Sequence, residues 1–597
     1  MNQKTGISRI AVVGIIILVI VIAVAAIVTL SHAPSQMSST VTTSSSISSQ
    51  LTSSTTTSAV NQTLIVDYTS SPGSLDPATD VEIAGYGIIG NIMQSLVYYN
   101  NSNSNQIVPV LASNYTISSD GKTITFFLRH GITFSNGDPF NAYCVWFSYY
   151  RAAVMGQAGS FFYSVGLNLS GVTADELNEL NSSTNTPPAS LLPVLTNESN
   201  AITVPSPYVV VFHFERPFPD IFGWMTIAKI VDPRAIELHG GVQKGQPNSW
   251  ANLNPIGTGP FILQTWVQGS YAVLVRNPNY WGGPGGGVFP TPKLSKVVIY
   301  FIPSETTREE NILSGAADVA VIDTPRIAAI NGTPGVVLPN FGVSNTYAWM
   351  PLDVQQYPLN ITLVREAIVH AINWNQINQQ VYHGLLYPSA GVVPYGLIGY
   401  NASMKPYSYN PVLAENLLAQ AGFPNGTNFP TLLFVYATDY PETYLVAQIV
   451  QADLAQVGIH VELKGLTFAQ QIALDYSTPA SSSSHPSLQW VSITGPPIPS
   501  GYADPLFMTG NYGNLGGYSN PTVDALLLQA ESTYNNTLRE ELYWKASNIV
   551  YNSYAYYFLG NIKDFFPAQF FVFRSNVHGY YYQSAFSQLD FSTIYLT

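Results

Sequence analysis

Charge is what this chain has least of. Asp, Glu, Lys and Arg make up 9% of its 597 residues, against about 25% in an ordinary soluble protein. Aromatics and neutral polar residues stand in their place, so the surface is polar without being ionic. Such a surface suits an acidic exterior, where protonated carboxylates would leave an excess of Lys and Arg to repel one another. The net charge of -13 disfavours nucleic acid as a partner. Cys144 is the single cysteine, which excludes an internal disulfide and a lipid-modified Cys near the N-terminus. The nine His are scattered, without paired metal-ligand spacing or a His-Glu-x-x-His motif, and no Gly-x-Ser-x-Gly elbow occurs. No metal, cofactor or catalytic constellation is expected, and an enzyme is disfavoured.

Two strings resemble nucleotide motifs and fail on context. Gly85-Tyr86-Gly87-Ile88-Ile89-Gly90 follows Asp76-Pro77 and Asp80 to Glu82 instead of a strand, which a dinucleotide fingerprint requires. Gly121-Lys122-Thr123 lacks the first Gly of a P-loop, the position five earlier being Thr116. His370 sits in a helical pattern and reads as a packed or surface residue.

Long apolar runs are absent except at Ile10 to Leu30, long enough for the roughly 20 residues that cross a bilayer. Lys4 and Arg9 precede it and no acid occurs before Asp67, so residues 1–9 should be cytoplasmic and the body extracellular on a single-pass anchor. Ser31-His32-Ala33 leaves open a cleaved signal peptide, although its apolar region is normally about 7 to 15 residues. Lys4-Thr5-Gly6-Ile7 resembles an archaeal pilin-type signal, whose cleavage would still leave the helix in place. Residues 31–59 are a Ser/Thr-rich linker that cannot bury enough surface to offset its ordering entropy. It is a spacer or an O-glycosylated stalk. Sequons such as Asn61-Gln62-Thr63 and Asn401-Ala402-Ser403 agree with an exterior location without proving it.

The body mixes strand-like and helix-like patterns. Strands are expected at Leu64 to Val66, Thr123 to Leu128, Tyr208 to Phe214 and Ile459 to Leu463; helical spacing is expected at Ile89 to Val97, Leu363 to Asn375, Pro411 to Ala421, Tyr444 to Val457 and Pro521 to Thr533. Asp120-Gly121 reads as a hairpin turn, while Asn410-Pro411 and Asn520-Pro521 read as an N-cap followed by Pro at the first helical position. Gly257-Thr258-Gly259-Pro260 reads as a segment crossing between lobes. A body of this length exceeds one hydrophobic core.

A series of motifs then carries a resemblance. Leu75-Asp76-Pro77, Phe134-Ser135-Asn136-Gly137-Asp138-Pro139-Phe140, Pro255-Ile256-Gly257-Thr258-Gly259-Pro260-Phe261, Arg276-Asn277-Pro278-Asn279-Tyr280-Trp281, Val364-Arg365-Glu366-Ala367, Leu454-Ala455-Gln456-Val457-Gly458-Ile459 and Gly517-Tyr518-Ser519-Asn520-Pro521 occur in order. From Leu64 onward the chain resembles the oligopeptide/dipeptide-binding solute receptors of ATP-binding-cassette importers (solute-binding protein family 5), in an archaeal form. The resemblance implies an α/β, two-lobe periplasmic-binding-protein-like fold (type II, large class with an extra subdomain) and a ligand cleft. Lobe I is expected from 60–96, 201–297 and 546–597, an inserted subdomain from 97–200, and lobe II from 298–545. The implied partners are a small oligomeric solute, ABC permease subunits with their ATPases, and the membrane through the N-terminal helix; the receptor is expected to be a monomer.

In peptide-binding relatives a cleft-strand Trp is followed by an Asp that pairs with the ligand's α-ammonium, and then by an Asp-Pro. Here Trp490 matches the Trp and Asp504-Pro505 the Asp-Pro, but Val491 to Ala503 contains no acid. Asp504 would have to bend back into the cleft. Sugars stack on aromatic faces and use neutral hydrogen-bonding groups, so peptide and oligosaccharide stand as alternative ligands. Candidate ligand-binding residues are Trp490, Tyr502, Asp504, Trp349 and Tyr347. A surface-layer or adhesion protein without a transport role is the alternative function. The aromatic stretches Tyr551 to Phe558 and Phe565 to Phe573 are expected as strands of lobe I.

Overall fold

The structure, a computed structural model, describes residues 62–597 apart from 101–102, 180–184, 284–288, 340–342, 345, 439, 479–481, 483, 512, 564–568 and 584–587. The apolar run Ile10 to Leu30 and the linker lie outside the described residues. Among those described, no helix is long and apolar enough to cross a membrane.

Two buried cores divide the chain. The first is built on a seven-stranded sheet in the order Val336–Val337, Gln569–Arg574, Val319–Asp323, Thr63–Tyr68, Lys296–Phe301, Tyr271–Arg276, Phe261–Val267. Thr63–Tyr68 lies parallel to both Lys296–Phe301 and Val319–Asp323, and Leu64, Val66, Val297 and Ile299 are fully buried. Buried parallel strands need apolar residues on both faces, which is why this centre is rich in Val and Ile.

A four-stranded antiparallel sheet, Ala112–Ile117, Thr123–Leu128, Val209–His213 and Ile202–Ser206, forms the inserted unit, which therefore runs beyond its expected limit at residue 200. Gly121 (φ +69°) makes its first hairpin turn, as Asp120-Gly121 predicts. Helix Ala142–Met155 packs here; the Asn141 side chain caps its start and Gly156, left-handed at φ +57°, ends it. From that helix Arg151 forms a buried bidentate pair with Asp76 of the Leu75-Asp76-Pro77 motif, Nη1 to Oδ1 being 2.9 Å.

The second core holds the antiparallel sheet Leu386–Tyr387, Tyr556–Ile562, Tyr347–Pro351, Val491–Ile493 and the parallel sheet Val461–Leu466, Leu432–Ala437, Leu488–Gln489. Helix Pro441–Gln456 joins two of the parallel strands. Asn410 and Asn520 cap their helices, accepting from Leu413 N at 3.0 Å and Thr522 N at 3.0 Å.

Three further expectations shift. Lobe II was expected to begin at 298 and end at 545, yet strands up to Val336–Val337 belong to the first sheet, and helix Asn536–Tyr551 with strand Tyr556–Ile562 belongs to the second core. The aromatic stretches therefore split between lobes: Tyr556–Ile562 is in lobe II and Gln569–Arg574 in lobe I. Gly257 and Gly259 do not cross between lobes. A Cβ on either would lie 2.1 Å or 2.5 Å from the Ile92 carbonyl oxygen, and Gly259 N donates to that oxygen at 2.8 Å, so the glycines permit close approach to the end of helix Ile83–Ile92. That helix contains the whole Gly85 to Gly90 string, and it ends before Val97, which begins a strand.

Beneath the parallel sheet of lobe II lies a buried ionic trio. His485 Nδ1 is 3.0 Å from Asp353 and Nε2 is 3.8 Å from Asp475. Burial opposes the imidazolium, but the hydrogen bond and charge of Asp353, with the charge of Asp475, outweigh it and raise the His485 pKa. Burial pushes Asp475 up to about 7, against a hydrogen bond from Gln489 and the charge of His485.

Two outcomes follow from this packing. Arg151→Met leaves the Asp76 carboxylate buried without its cation and should cost about 3–5 kcal/mol in urea unfolding, while the double change Asp76→Asn, Arg151→Met should recover part of the loss. In the trio both shifts are upward, so the folded state holds protons that the unfolded chain releases. His485's contribution is complete below its unfolded pKa and is lost as pH rises through the folded value; the cost of ionising Asp475 grows over the same rise, up to about pH 7. Urea midpoints should fall from about pH 5 to pH 8, and His485→Gln should flatten that slope; an unchanged slope in the variant refutes the assignment.

Candidate functional site

The lobes are joined covalently by two crossings, between 338 and 346 and between 562 and 569, and these lie side by side. Ser344 Oγ donates to the Ile562 carbonyl at 2.6 Å, Ile562 N donates to Thr346 O at 3.0 Å, and Asn561 Nδ2 donates to Ser344 O at 3.0 Å. A paired double crossing of this kind is where a rotation of one lobe against the other would be absorbed.

Next to it, strand Val491–Ile493 runs antiparallel to Tyr347–Pro351, with Ile493 opposite Tyr347 and Val491 opposite Trp349. The chain then leaves the sheet through Thr494, whose hydroxyl meets that of Thr346 at 2.9 Å, and passes Gly495-Pro496-Pro497-Ile498-Pro499 into helix Ser500–Phe507. Ile498 from this segment joins the core of lobe I. It fits because residue 223 is Gly: a Cβ there would stand 2.4 Å from Ile498 Cγ2 and 2.8 Å from the Tyr99 hydroxyl.

Ionic contacts surround this insertion. Asp220 of lobe I accepts from the Ser500 backbone N–H at 3.0 Å and pairs with Arg539 of lobe II. Both side chains are buried. Arg216 of lobe I pairs with Glu531 and donates to Ser532 Oγ at 2.7 Å. Beside them a cavity of about 450 Å³ lies between the hairpin at Ile117 to Gly121 and the turn at Ser532 to Asn535. A larger groove, about 930 Å³, lies on lobe I alone, where His130 stacks on Tyr208 at 3.8 Å and the Arg129 guanidinium stands 5.7 Å from the Trp281 ring.

The structure brings the five sequence candidates into one region, the four aromatics in core positions and Asp504 only partly buried. Trp490 is 3% exposed and its Nε1 donates to the Tyr382 hydroxyl at 3.0 Å. Tyr347 is fully buried, donates to Gly391 O at 2.8 Å and stacks on Trp349, itself 1% exposed. The Tyr502 hydroxyl donates to Gly495 O at 3.2 Å and accepts from Gly495 N at 3.1 Å, pinning the proline segment. Asp504 is turned toward the interlobe charges. Its Oδ1 is buried without a hydrogen bond among the described residues. Burial chiefly, then the charge and hydrogen bonding of Glu531 and the charge of Asp220, raise its pKa well above the carboxylate range, against Arg216.

Asp220, Arg216, Glu531 and Arg539 escaped the sequence reading. Arg216 and Glu531 are 315 positions apart, and no local spacing announces such a pair. Among the described residues no group of three His, Cys, Asp or Glu could hold a metal.

Comparison with known proteins places this geometry. The profile of the bacterial extracellular solute-binding proteins, family 5 (middle region), matches residues 106–514. The glutathione-binding protein GsiB of Escherichia coli O6:K15:H31 (strain 536 / UPEC) is 28% identical over 501 residues, 82% of this chain and 87% of its own. GsiB of Shigella boydii serotype 4 (strain Sb227) is 29% identical over 453 residues, 74% of this chain and 78% of its own. Among solved structures, the periplasmic binding protein DppA from Helicobacter pylori, in complex with peptide STSA, aligns at a TM-score of 0.67 and 23% identity over 90% of this chain and 98% of its own. HbpA2 from Haemophilus parasuis aligns at 0.70 and 22% over 90% of this chain and all of its own. Likeness at these identities establishes the fold, while the profile match over most of the chain establishes kinship. The chain belongs to bacterial extracellular solute-binding protein family 5, as a non-enzymatic substrate-binding receptor of an ABC importer.

Proposed function

We propose that this receptor captures a short peptide or peptide-like solute between its lobes, holds it through neutral hydrogen-bonding groups, and delivers it to the permease while tethered to the outer membrane face by Ile10 to Leu30. The observation that carries the reading is the segment from Thr494 to Ser500, where Ile498 of lobe II enters the core of lobe I and Ser500 N–H bonds to Asp220. Opening withdraws Ile498 from lobe I and uncovers that segment. A ligand that touches both lobes then favours closure, because its contacts to the open state are fewer.

The relatives support a peptide-like ligand, GsiB by its glutathione and DppA by its bound STSA. Val491 to Ala503 offers no carboxylate to an α-ammonium, and Asp504 is engaged with Glu531. The same neutral segment favours an oligosaccharide as the second reading, since sugar hydroxyls need donors and acceptors without charge. A single span at Ile10 to Leu30 would form no translocation pathway by itself, so pore and motor would be other chains. The linker keeps the receptor near them, raising its effective concentration for docking while the lobes stay free to close.

Thermal unfolding with a ligand panel tests the first point. A true ligand at 100 times its dissociation constant adds about 2.7 kcal/mol, and N-acetylated tri- and tetrapeptides should stabilise the body as well as their free-amine forms. Stabilisation by free amines alone overturns the neutral-anchor reading, and a response only to oligosaccharides selects the second one. For the tether, a body lacking residues 1–59 should bind ligand with unchanged affinity and support less uptake than the full chain; equal uptake refutes the role given to the linker.

A further inference from the structure

We infer that closure of this receptor is coupled to uptake of one proton by the carboxyl of Asp504, which sits between the two ion pairs that join the lobes. The inference rests on the two-lobe receptor reading and adds to it a dependence of closure on external pH.

The geometry brings every neighbouring charge to one place only when the lobes meet. Asp504 comes from helix Ser500–Phe507 and Glu531 from the turn after helix Pro521–Ala530, both in lobe II. Arg216, beyond strand Val209–His213, and Asp220, before helix Ile221–Met225, come from lobe I. Helix Asn536–Tyr551 contributes Arg539, paired with Asp220, and Tyr543, which faces Asp220, Asp504 and Arg539. Tyr99 and Tyr534 also face Asp220. In this set two cations meet three carboxylates. Arg539 is committed to Asp220 and Arg216 to Glu531, which leaves Asp504 as the third carboxylate, with a buried Oδ1 that accepts no hydrogen bond among the described residues.

An ionised Asp504 would stand against Glu531 and Asp220 without a cation of its own. Protonated, it can donate to Glu531 and remove the excess charge. Opening takes Asp220 and Arg216 away with lobe I and lets water reach the group, returning its pKa toward the ordinary carboxylate range. The closed state therefore holds the proton more tightly than the open state. Between the open-state and closed-state pKa values closing takes up a proton, so closure strengthens as pH falls through that window and carries its full penalty above the raised value.

The experiment reads the lobes directly. Cys144 is buried, so fluorophores can be attached at Val267→Cys on lobe I and Val412→Cys on lobe II, both exposed positions, in the otherwise full chain without ligand. Energy transfer between them, followed from pH 7.5 to about 4.5, should report a closed-to-open ratio that rises by up to about tenfold per pH unit within the window. Asp504→Asn, neutral at every pH, should be closed to the same extent throughout. Asp504→Ser, smaller and also neutral, should likewise lose the pH dependence if the amide is not tolerated. Near-UV circular dichroism of each variant identifies any that fails to fold. A wild-type ratio that ignores pH, or a folded neutral variant that keeps the wild-type dependence, overturns the inference; ligand-induced closure that ignores pH does so while leaving the receptor reading intact.

Discussion

The hydrogen bonding of Ser344 and Thr346 to Asn561 and Ile562 is the constraint around which the molecule is arranged. Two crossings that bond to each other behave as one narrow strap, so each lobe needs a complete core of its own and their relative position is left to contacts outside the strap. Both cores are complete in that sense: one closes on the sheet around Thr63–Tyr68, the other on Tyr347–Pro351 and Tyr556–Ile562. Among those contacts are Ile498 seated against Gly223, Leu385 and Tyr534 packed on the core of lobe I, and the charges beside them. A small contact area is what a binding protein needs, because a ligand can bias the equilibrium only by its differential affinity for the two states.

Local features were legible in the sequence and non-local ones were not. Asp120-Gly121, Asn410-Pro411 and Asn520-Pro521 could be read because a turn or a cap is decided within four or five residues, and the structure places them in those roles. The lobe boundaries could not. Val319–Asp323 belongs to lobe I because it pairs with Thr63–Tyr68, more than 250 residues earlier, and nothing within the strand says so. The Gly257-Thr258-Gly259-Pro260 motif is instructive in the same way. Its flexibility was visible, but that the two glycines make room for the Ile92 carbonyl depends on a helix far upstream.

The candidate site shows the same division. Residue type proposed Trp490, Tyr502, Trp349, Tyr347 and Asp504, and the fold does gather them around the exit of strand Val491–Ile493. An aromatic side chain suits a ligand platform and a core equally well, and only the neighbours decide; here the hydroxyls and indole that bond inward, as in Tyr347 to Gly391 and Trp490 to Tyr382, show rings serving the packing of lobe II. Asp504 matches the Asp-Pro of the family pattern and would anchor a positive ligand group only by bending back into the cleft. Its neighbours in space are Glu531, Asp220 and Arg216, and they give a carboxyl a different task.

The scarcity of charge ties these points together. In a chain with 9% charged residues few accidental partners exist, so a buried ion has little choice of mate. Arg151 finds Asp76 across 75 positions and Arg539 finds Asp220 across 319. Pairs of this kind add little net stability relative to apolar residues of the same size, because desolvation consumes most of the Coulombic gain. Their consequence is selectivity: a misplaced lobe would leave each ion buried alone, at a cost of several kcal/mol. A surface with few charges repels itself little when external pH changes, and the response to acidity falls to a small number of buried groups. Among these are the His485 trio inside lobe II and the carboxyl of Asp504 at the junction where the lobes meet.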